Sequence, residues 1–331
     1  MKSIVEIFSE LGARLAEFGS DDASRSVMTR AVAENEWFSA GDIRYAVEAV
    51  RREMLDAEKI EKWLSHYPSA GHGMPKRVAI IMAGNIPLVG FFDLMCVLAN
   101  GDIPCVKPSS KDRVLEEYIE YQLLDIEPSL RIEKYEEGGD YDAVIATGGD
   151  SANLYFRTAF ESVPCLLRGS RHSVAVLSGR EKRDDFARLA DDIFCHSGLG
   201  CRNVSLIFAP KGFKPQLAVR KMCRAYHNNY LQCRALLTMQ GAKFEDLGEA
   251  VLVRLKVAEF PRFLSQINVV EYSSMEDVRQ WLAGQDEALQ CVVSNIEGAH
   301  SRQVPLGKAQ QPSLFDYADE RDTMQFLASI G

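Results

Sequence analysis

Apolar positions recur at helical spacing from the first residues of the chain. In MKSIVEIFSELGARLAEF, Ile4, Ile7, Phe8, Leu11 and Leu15 keep the three- and four-residue steps that gather side chains on one helix face. Acids interspersed among them suit a docked terminal helix rather than an export signal. The segment ENEWFSAGDIRYAVEAVRREML repeats the pattern at Ile43, Ala46, Val47, Val50 and Leu55, behind a helix start at Ser39 or Asp42. SHYPSAGHGMP, residues 65–75, is rich in turn formers and reads as a linker.

At Arg77 the helical period gives way to short continuous apolar runs. RVAIIMAG ends in glycine and suits a strand buried on both faces. NIPLVGFFDLMCVLANG predicts a helix, with Pro87 near its first turn and Gly101 closing it. DIPCVKPSS is a second strand and DRVLEEYIEYQLLDI a second helix. YDAVIATGG gives a further strand and glycine turn, with the helix SANLYFRTAF behind it. HSVAVLSG, the helix EKRDDFARLADDIF and the strand in HSGLGCRNVSLIFAP follow, after which LQCRALLTMQG, AVLVRLKV, INVVEYSS, VRQWLAG and ALQCVVSN alternate less regularly. Such alternation predicts an α/β protein with a doubly wound parallel sheet of the nucleotide-binding type. The domain boundary is expected near residue 188. Residues 1–188 then hold the N-terminal helices and the nucleotide-binding sheet, and residues 189–331 a smaller α/β domain. The tail GAHSRQVPLGKAQQPSLFDYADERDT is polar and predicts an extended surface segment before a short final helix.

Composition narrows the class. The 331 residues suffice for two domains of ordinary size, and 47% hydrophobic with 26% charged residues suit a globular chain. A formal net charge of -9 argues against a nucleic-acid partner, which needs a basic stripe. No window offers the ~20 apolar residues of a membrane span. The eight cysteines, at 96, 105, 165, 195, 201, 223, 233 and 291, form no CxxC pair and no Cys/His zinc spacing, so no metal is expected. Without an export signal they read as reduced thiols of a cytoplasmic protein.

Four places along the chain offer chemistry, each beside a plainer reading. Cys201 follows Gly198 and Gly200 in SGLGC; small neighbours admit a substrate, and turn amides favour a thiolate or an oxyanion. The plainer reading is a small buried hydrophobe. Asn85, in AGNIP behind a strand, is either a helix N-cap or a donor to a developing oxyanion at a carboxyl strand edge. Lys107, in CVKPSS after the next strand, is either a surface lysine or a contact to a ribose hydroxyl or phosphate. Thr147-Gly148-Gly149-Asp150 opens a helix whose amides and dipole favour a phosphate, although no G-x-G-x-x-G fingerprint is present.

The order AGNIP, VKPSS, ATGG, LLRGSRHSVAVL, GLGC resembles the aldehyde dehydrogenase superfamily, and within it the acyl-CoA reductase (LuxC-type) branch. The matched order spans about residues 77 to 210; INVVEYSSMEDVRQWLAG and the N-terminal NEWFSAGDIRYAVEAV…KWLSHYP extend it. The resemblance implies a Rossmann-like cofactor domain and an aldehyde dehydrogenase-like catalytic domain. It also implies Cys201 as the catalytic nucleophile, Asn85 in the oxyanion hole, Lys107 on the cofactor ribose, and Gly148 and Gly149 near the dinucleotide phosphates.

Departures from the superfamily pattern sharpen the implied chemistry. Leu167, in LLRGS, stands where hydrolytic members place a water-activating glutamate, and leucine cannot be a general base. Ser110 stands where NAD-preferring members place a ribose-binding glutamate; its loss makes room for a 2′-phosphate that Lys111 can pair. The glutamate of an E-x-F-G-P segment has no match near FLSQINVV, and the catalytic half is short. The implied reaction is NADPH-dependent reduction of an acyl-CoA to the aldehyde, with NADP preferred over NAD and CoA as leaving group. His196 reads as a bystander or a proton carrier, and Arg168 and Arg171 as structural or as contacts to CoA phosphates. An acyl-carrier thioester, an acyl phosphate or a free aldehyde are alternative substrates, and a non-catalytic nucleotide-binding subunit is the rival class. A homodimer is compatible with the sequence.

Overall fold

The computed structural model describes residues 2–67 and 74–330. Its chain divides into two compact units, Met1–Ser170 with Gln311–Gly331, and Arg171–Gln310. The turn-rich stretch expected as a linker lies largely outside the described residues.

The first unit opens with four helices: α1 (Ile4–Leu15), α2 (Asp22–Glu34), α3 (Ala40–Met54) and α4 (Ala57–Leu64). Ser3 and Glu6 close a reciprocal capping box on α1, and Ser39 caps α3 by accepting from the Asp42 amide. The apolar stripe of α1 is buried at Ile7, Phe8, Leu11 and Leu15, and that of α3 at Ile43, Ala46, Val47 and Val50. Both α1 and α2 pack on α6 of the following sheet layer (Arg113–Ile126).

The alternation then runs β1 (Arg77–Ile81), α5 (Phe91–Ala99), β2 (Ile103–Lys107), α6, β3 (Glu133–Lys134), β4 (Ala143–Thr147), α7 (Asp150–Ala159) and β5 (Cys165–Arg168). These strands form a parallel sheet in the order β3-β2-β1-β4-β5. The order reverses between β1 and β4, the crevice where doubly wound sheets take ligands.

The second unit carries β6 (His172–Val176), α8 (Arg183–Phe194), β7 (Val204–Pro210), α9 (Arg224–Met239), β8 (Glu245–Asp246), β9 (Val251–Leu255), β10 (Gln266–Tyr272), α10 (Met275–Gly284), β11 (Leu289–Val293) and β12 (Gln303–Val304). Its sheet, in the order β12-β11-β6-β7-β10-β9-β8, is parallel except at β8. The boundary therefore falls at residue 170 rather than near 188. Pairing decides this: β6 hydrogen-bonds to β7 and β11, so both it and α8 belong with the later strands. A regular alternation of strands and helices gives no sign of where one sheet stops and another begins.

Two other expectations change. The segment after β1 is not helical from Asn85, because α5 starts only at Phe91. Leu88 has a left-handed φ of 57° and its amide donates to Asp112 rather than into a helix. The polar tail is also more than a surface strap. Residues 311–331 return to the first unit, where Leu314, Tyr317, Met324 and Leu327 of the tail and α11 (Thr323–Ser329) join the core beside Trp63. The Trp63 indole N–H donates to Tyr317 Oη at 2.7 Å, a buried partner that periodicity cannot reveal.

Candidate active site

In the first unit the sequence candidates share one sheet edge. Asn85, Lys107 with Ser110, and Gly148 with Gly149 follow the carboxyl ends of β1, β2 and β4, adjacent strands flanking the switch point. Asn85 is half-buried and five residues ahead of Gly90, which holds the N-cap position of α5, so it is not that helix's cap. Gly84, just before it, lies so close to the β2–α6 turn that a Cβ would come within 2.5 Å of Ser109. The Leu88 amide reaches Asp112 Oδ2 at 2.6 Å. Asp112 occupies the N-cap position of α6 yet makes no cap bond to it; its carboxylate serves the Asn85 loop instead.

Below that bond, Asp112 and Glu116 are both buried, one helical turn apart. Burial raises the Asp112 carboxyl to about 8, against the Leu88 amide, which favours the charged form. Burial also pushes Glu116 well up, helped by the neighbouring Asp112 charge. Burial thus disfavours the charged form of both carboxyls under the loop.

Lys107 is exposed, with its ammonium 5.0 Å from the Tyr135 ring centre, and Ser110 and Lys111 are exposed beyond it. Gly149 is the N-cap of α7 and exposed, without a side-chain cap. Gly148 lets that helix approach the strand end: a Cβ there would lie 2.8 Å from the Ala152 Cβ. Leu167, on β5, packs in an apolar cluster with Val144, Ala146 and Phe156. Arg168 is buried and paired with Asp93, and it donates to Thr323 Oγ1 at 2.7 Å. It is structural. Arg171, in the second unit, donates to the Leu289 carbonyl at 3.1 Å.

In the second unit, Cys201 lies between α8 and β7. After α8 the backbone turns left-handed at His196 (φ 52°), Ser197 (φ 54°) and Gly198 (φ 68°). For the two non-glycine residues this conformation costs about 1–2 kcal/mol each, so surrounding bonds must hold it. Asn203 does much of this. Its Nδ2 donates toward the carbonyls of Asp192, Ile193 and Cys195, where α8 gives way to the left-handed run, at 3.2, 3.1 and 2.9 Å. Its Oδ1 accepts the Gly200 amide at 2.8 Å, while its own amide donates to the Gly200 carbonyl at 3.0 Å. Cys201 and Arg202 are thus the two corners of a closed turn. The Cys201 carbonyl accepts from the Ser173 hydroxyl at 2.9 Å.

None of the eight cysteines is in a disulfide, and Cys165, Cys201 and Cys223 are half-buried. Burial pushes the Cys96, Cys105, Cys165 and Cys233 thiols up, away from the reactive thiolate. Cys223 is the N-cap residue of α9, with Sγ 3.4 Å from Ser197 Oγ. Sequence reasoning missed Asn203, Ser173 and Asp112. For Asn203 the signal was present: GCRN is a glycine followed three residues later by a turn-forming asparagine. Ser173 and Asp112 act across 28 and 24 residues of chain, where no local pattern reaches.

The acyl-CoA reductase (LuxC) family profile matches residues 21–226, over half of the chain. No curated protein matches. Among solved structures, aldehyde dehydrogenase 21 from Physcomitrella patens, in complex with succinate, superposes with a TM-score of 0.70 at 11% identity. That match covers 99% of this chain and 83% of the other. A propionaldehyde dehydrogenase from the Clostridium phytofermentans fucose utilisation microcompartment gives 0.58 at 12% identity, covering 89% and 78%. An aldehyde dehydrogenase from Bacillus cereus, in its NAD+ complex, gives 0.62 at 12% identity, covering 89% and 72%. The aldehyde dehydrogenase fold is shared. Among the described residues, no helix is long and apolar enough to cross a membrane.

Proposed function

We propose that this chain, which belongs to the acyl-CoA reductase (LuxC) family, reduces acyl-CoA thioesters to aldehydes through a Cys201 acyl-enzyme in the cytoplasm. The observation that carries the reading is the position of Cys201, a half-buried thiol at the corner of a turn closed on both sides by Asn203.

In this reading the Cys201 thiolate attacks the thioester carbonyl, and the C–S bond to CoA breaks as the tetrahedral oxyanion collapses. The Asn85 carboxamide and the Cys201 amide are the proposed donors to that oxyanion. With leucine at 167, the acyl-enzyme has no carboxylate at that position to activate water, which favours thioester exchange and reduction over hydrolysis. The exposed Lys107, Ser110 and Gly149 at the switch-point edge fit a dinucleotide: a cation for ribose or phosphate, space for a 2′-phosphate, and a helix start for pyrophosphate. When bound, a reduced nicotinamide supplies the hydride. Collapse of the Cys201 thiohemiacetal then releases the aldehyde and restores the thiolate. Ser110 and Lys111 favour NADPH as the donor.

The test is a substrate comparison on purified protein. Acyl-CoA is expected to drive NADPH oxidation with release of CoA thiol and aldehyde. Conversion of aldehyde to acid without CoA would instead mark a hydrolytic dehydrogenase.

A further inference from the structure

We propose that Asn203 is a positioning residue for the nucleophile, setting where the Cys201 thiol stands through both ends of its loop. The proposal rests on the reading of Cys201 as nucleophile. Its ground is the division of labour within one carboxamide. The donor end gathers the carbonyls of Asp192, Ile193 and Cys195, the point at which α8 ends and the left-handed run begins. The acceptor end takes the Gly200 amide, the residue before Cys201. The side chain thus fixes the distance between the last turn of α8 and the residue ahead of the thiol, and it is itself buried. Arg220 also donates at that helix end, to the Phe194 carbonyl at 3.2 Å.

Ser173 completes the hold from the sheet. Its hydroxyl donates to the Cys201 carbonyl and accepts the Cys291 amide at 3.2 Å, tying the nucleophile's peptide to β6 and β11. The carboxamide of Asn203 bonds to backbone groups on both sides of the loop, so its effect passes through backbone placement. A displaced attacking atom costs rate much more than it costs binding.

Alkylation by iodoacetamide across pH, with peptide mapping of each thiol, tests this in the full-length protein beside acyl transfer from a panel of acyl-CoAs. In Asn203→Ala, the pH–rate curve of Cys201 is expected to shift while that of Cys165, in the first unit, stays in place. Acyl-enzyme formation should fall about a hundredfold, with the cofactor KM unchanged. Asn203→Asp, which keeps the acceptor for Gly200 but turns an oxygen toward the three carbonyls, should fall with it. The proposal is overturned if folded Asn203→Ala matches wild type at Cys201, or if all half-buried thiols shift together. Should Asn203→Ala not fold, the smaller change Asn203→Ser is read instead: a selective shift at Cys201 supports the proposal and an unchanged curve overturns it. If wild type never acquires an acyl group at Cys201, the nucleophile reading fails, and the alkylation curves still decide whether Asn203 places the thiol.

Discussion

The Leu88 amide donates to Asp112 Oδ2 at 2.6 Å, so the loop that carries Asn85 is held by a buried carboxyl whose charged form is disfavoured. In the unfolded chain an aspartate titrates near 3.9, whereas in the fold this group titrates at about 8. The native state therefore holds more protons between those values, and stability falls as pH rises through them. Glu116 adds to the same trend. Asp112→Asn keeps an acceptor for Leu88 and removes the charge. Urea unfolding from pH 5 to 8 is expected to show a shallower loss of stability in this variant than in wild type. An equal slope in both would exclude Asp112 as a source.

Arg168 and Asp93 form a buried ion pair, and Arg168 also donates to Thr323 of the returning tail. Removing one charge strands the other, so Asp93→Ala should cost about 3–5 kcal/mol in denaturant unfolding. The double variant Asp93→Leu with Arg168→Met should recover much of that loss. Loss of CoA binding without loss of stability would mean that Arg168 serves a ligand instead.

Ser110 and Lys111 are exposed beyond β2, where the 2′-substituent of a bound cofactor is proposed to lie. Ser110→Glu restores a ribose acceptor and repels a phosphate. The ratio of kcat/KM for NADPH to that for NADH is expected to fall by about tenfold or more, the size of one lost charge-assisted contact. An unchanged ratio would place cofactor choice elsewhere.

Cys223 is the rival thiol, half-buried and at the N-cap of α9. Cys223→Ala should leave aldehyde formation near the wild-type rate, and Cys201→Ala should abolish it. Steady-state assays of both variants, with melting curves to check folding, separate the two.

Much of the first unit was legible because its signals are local. The stripes of α1 and α3, the cap at Ser39, and the apolar runs of β1, β2 and β4 each lie within a few residues. The edge holding Asn85, Lys107 and Gly148 followed from the place of each just behind an apolar strand run. The domain boundary was not legible, because β6 looks like any other strand until its neighbours are known. Nor was the burial of Tyr317 beside Trp63, since a polar tail with isolated apolar residues has no period. Asp112 escaped for a related reason: it resembles an ordinary cap residue, and its function lies in a bond to another segment.

Intact-mass measurement of the protein after incubation with acyl-CoA, followed by peptide mapping, bears most directly on the Cys201 acyl-enzyme. A mass increase of one acyl group, located on Cys201, absent from Cys201→Ala and discharged by NADPH as aldehyde, is the expected result. An adduct on Cys223, or none from any thioester while cofactor still binds, would contradict it.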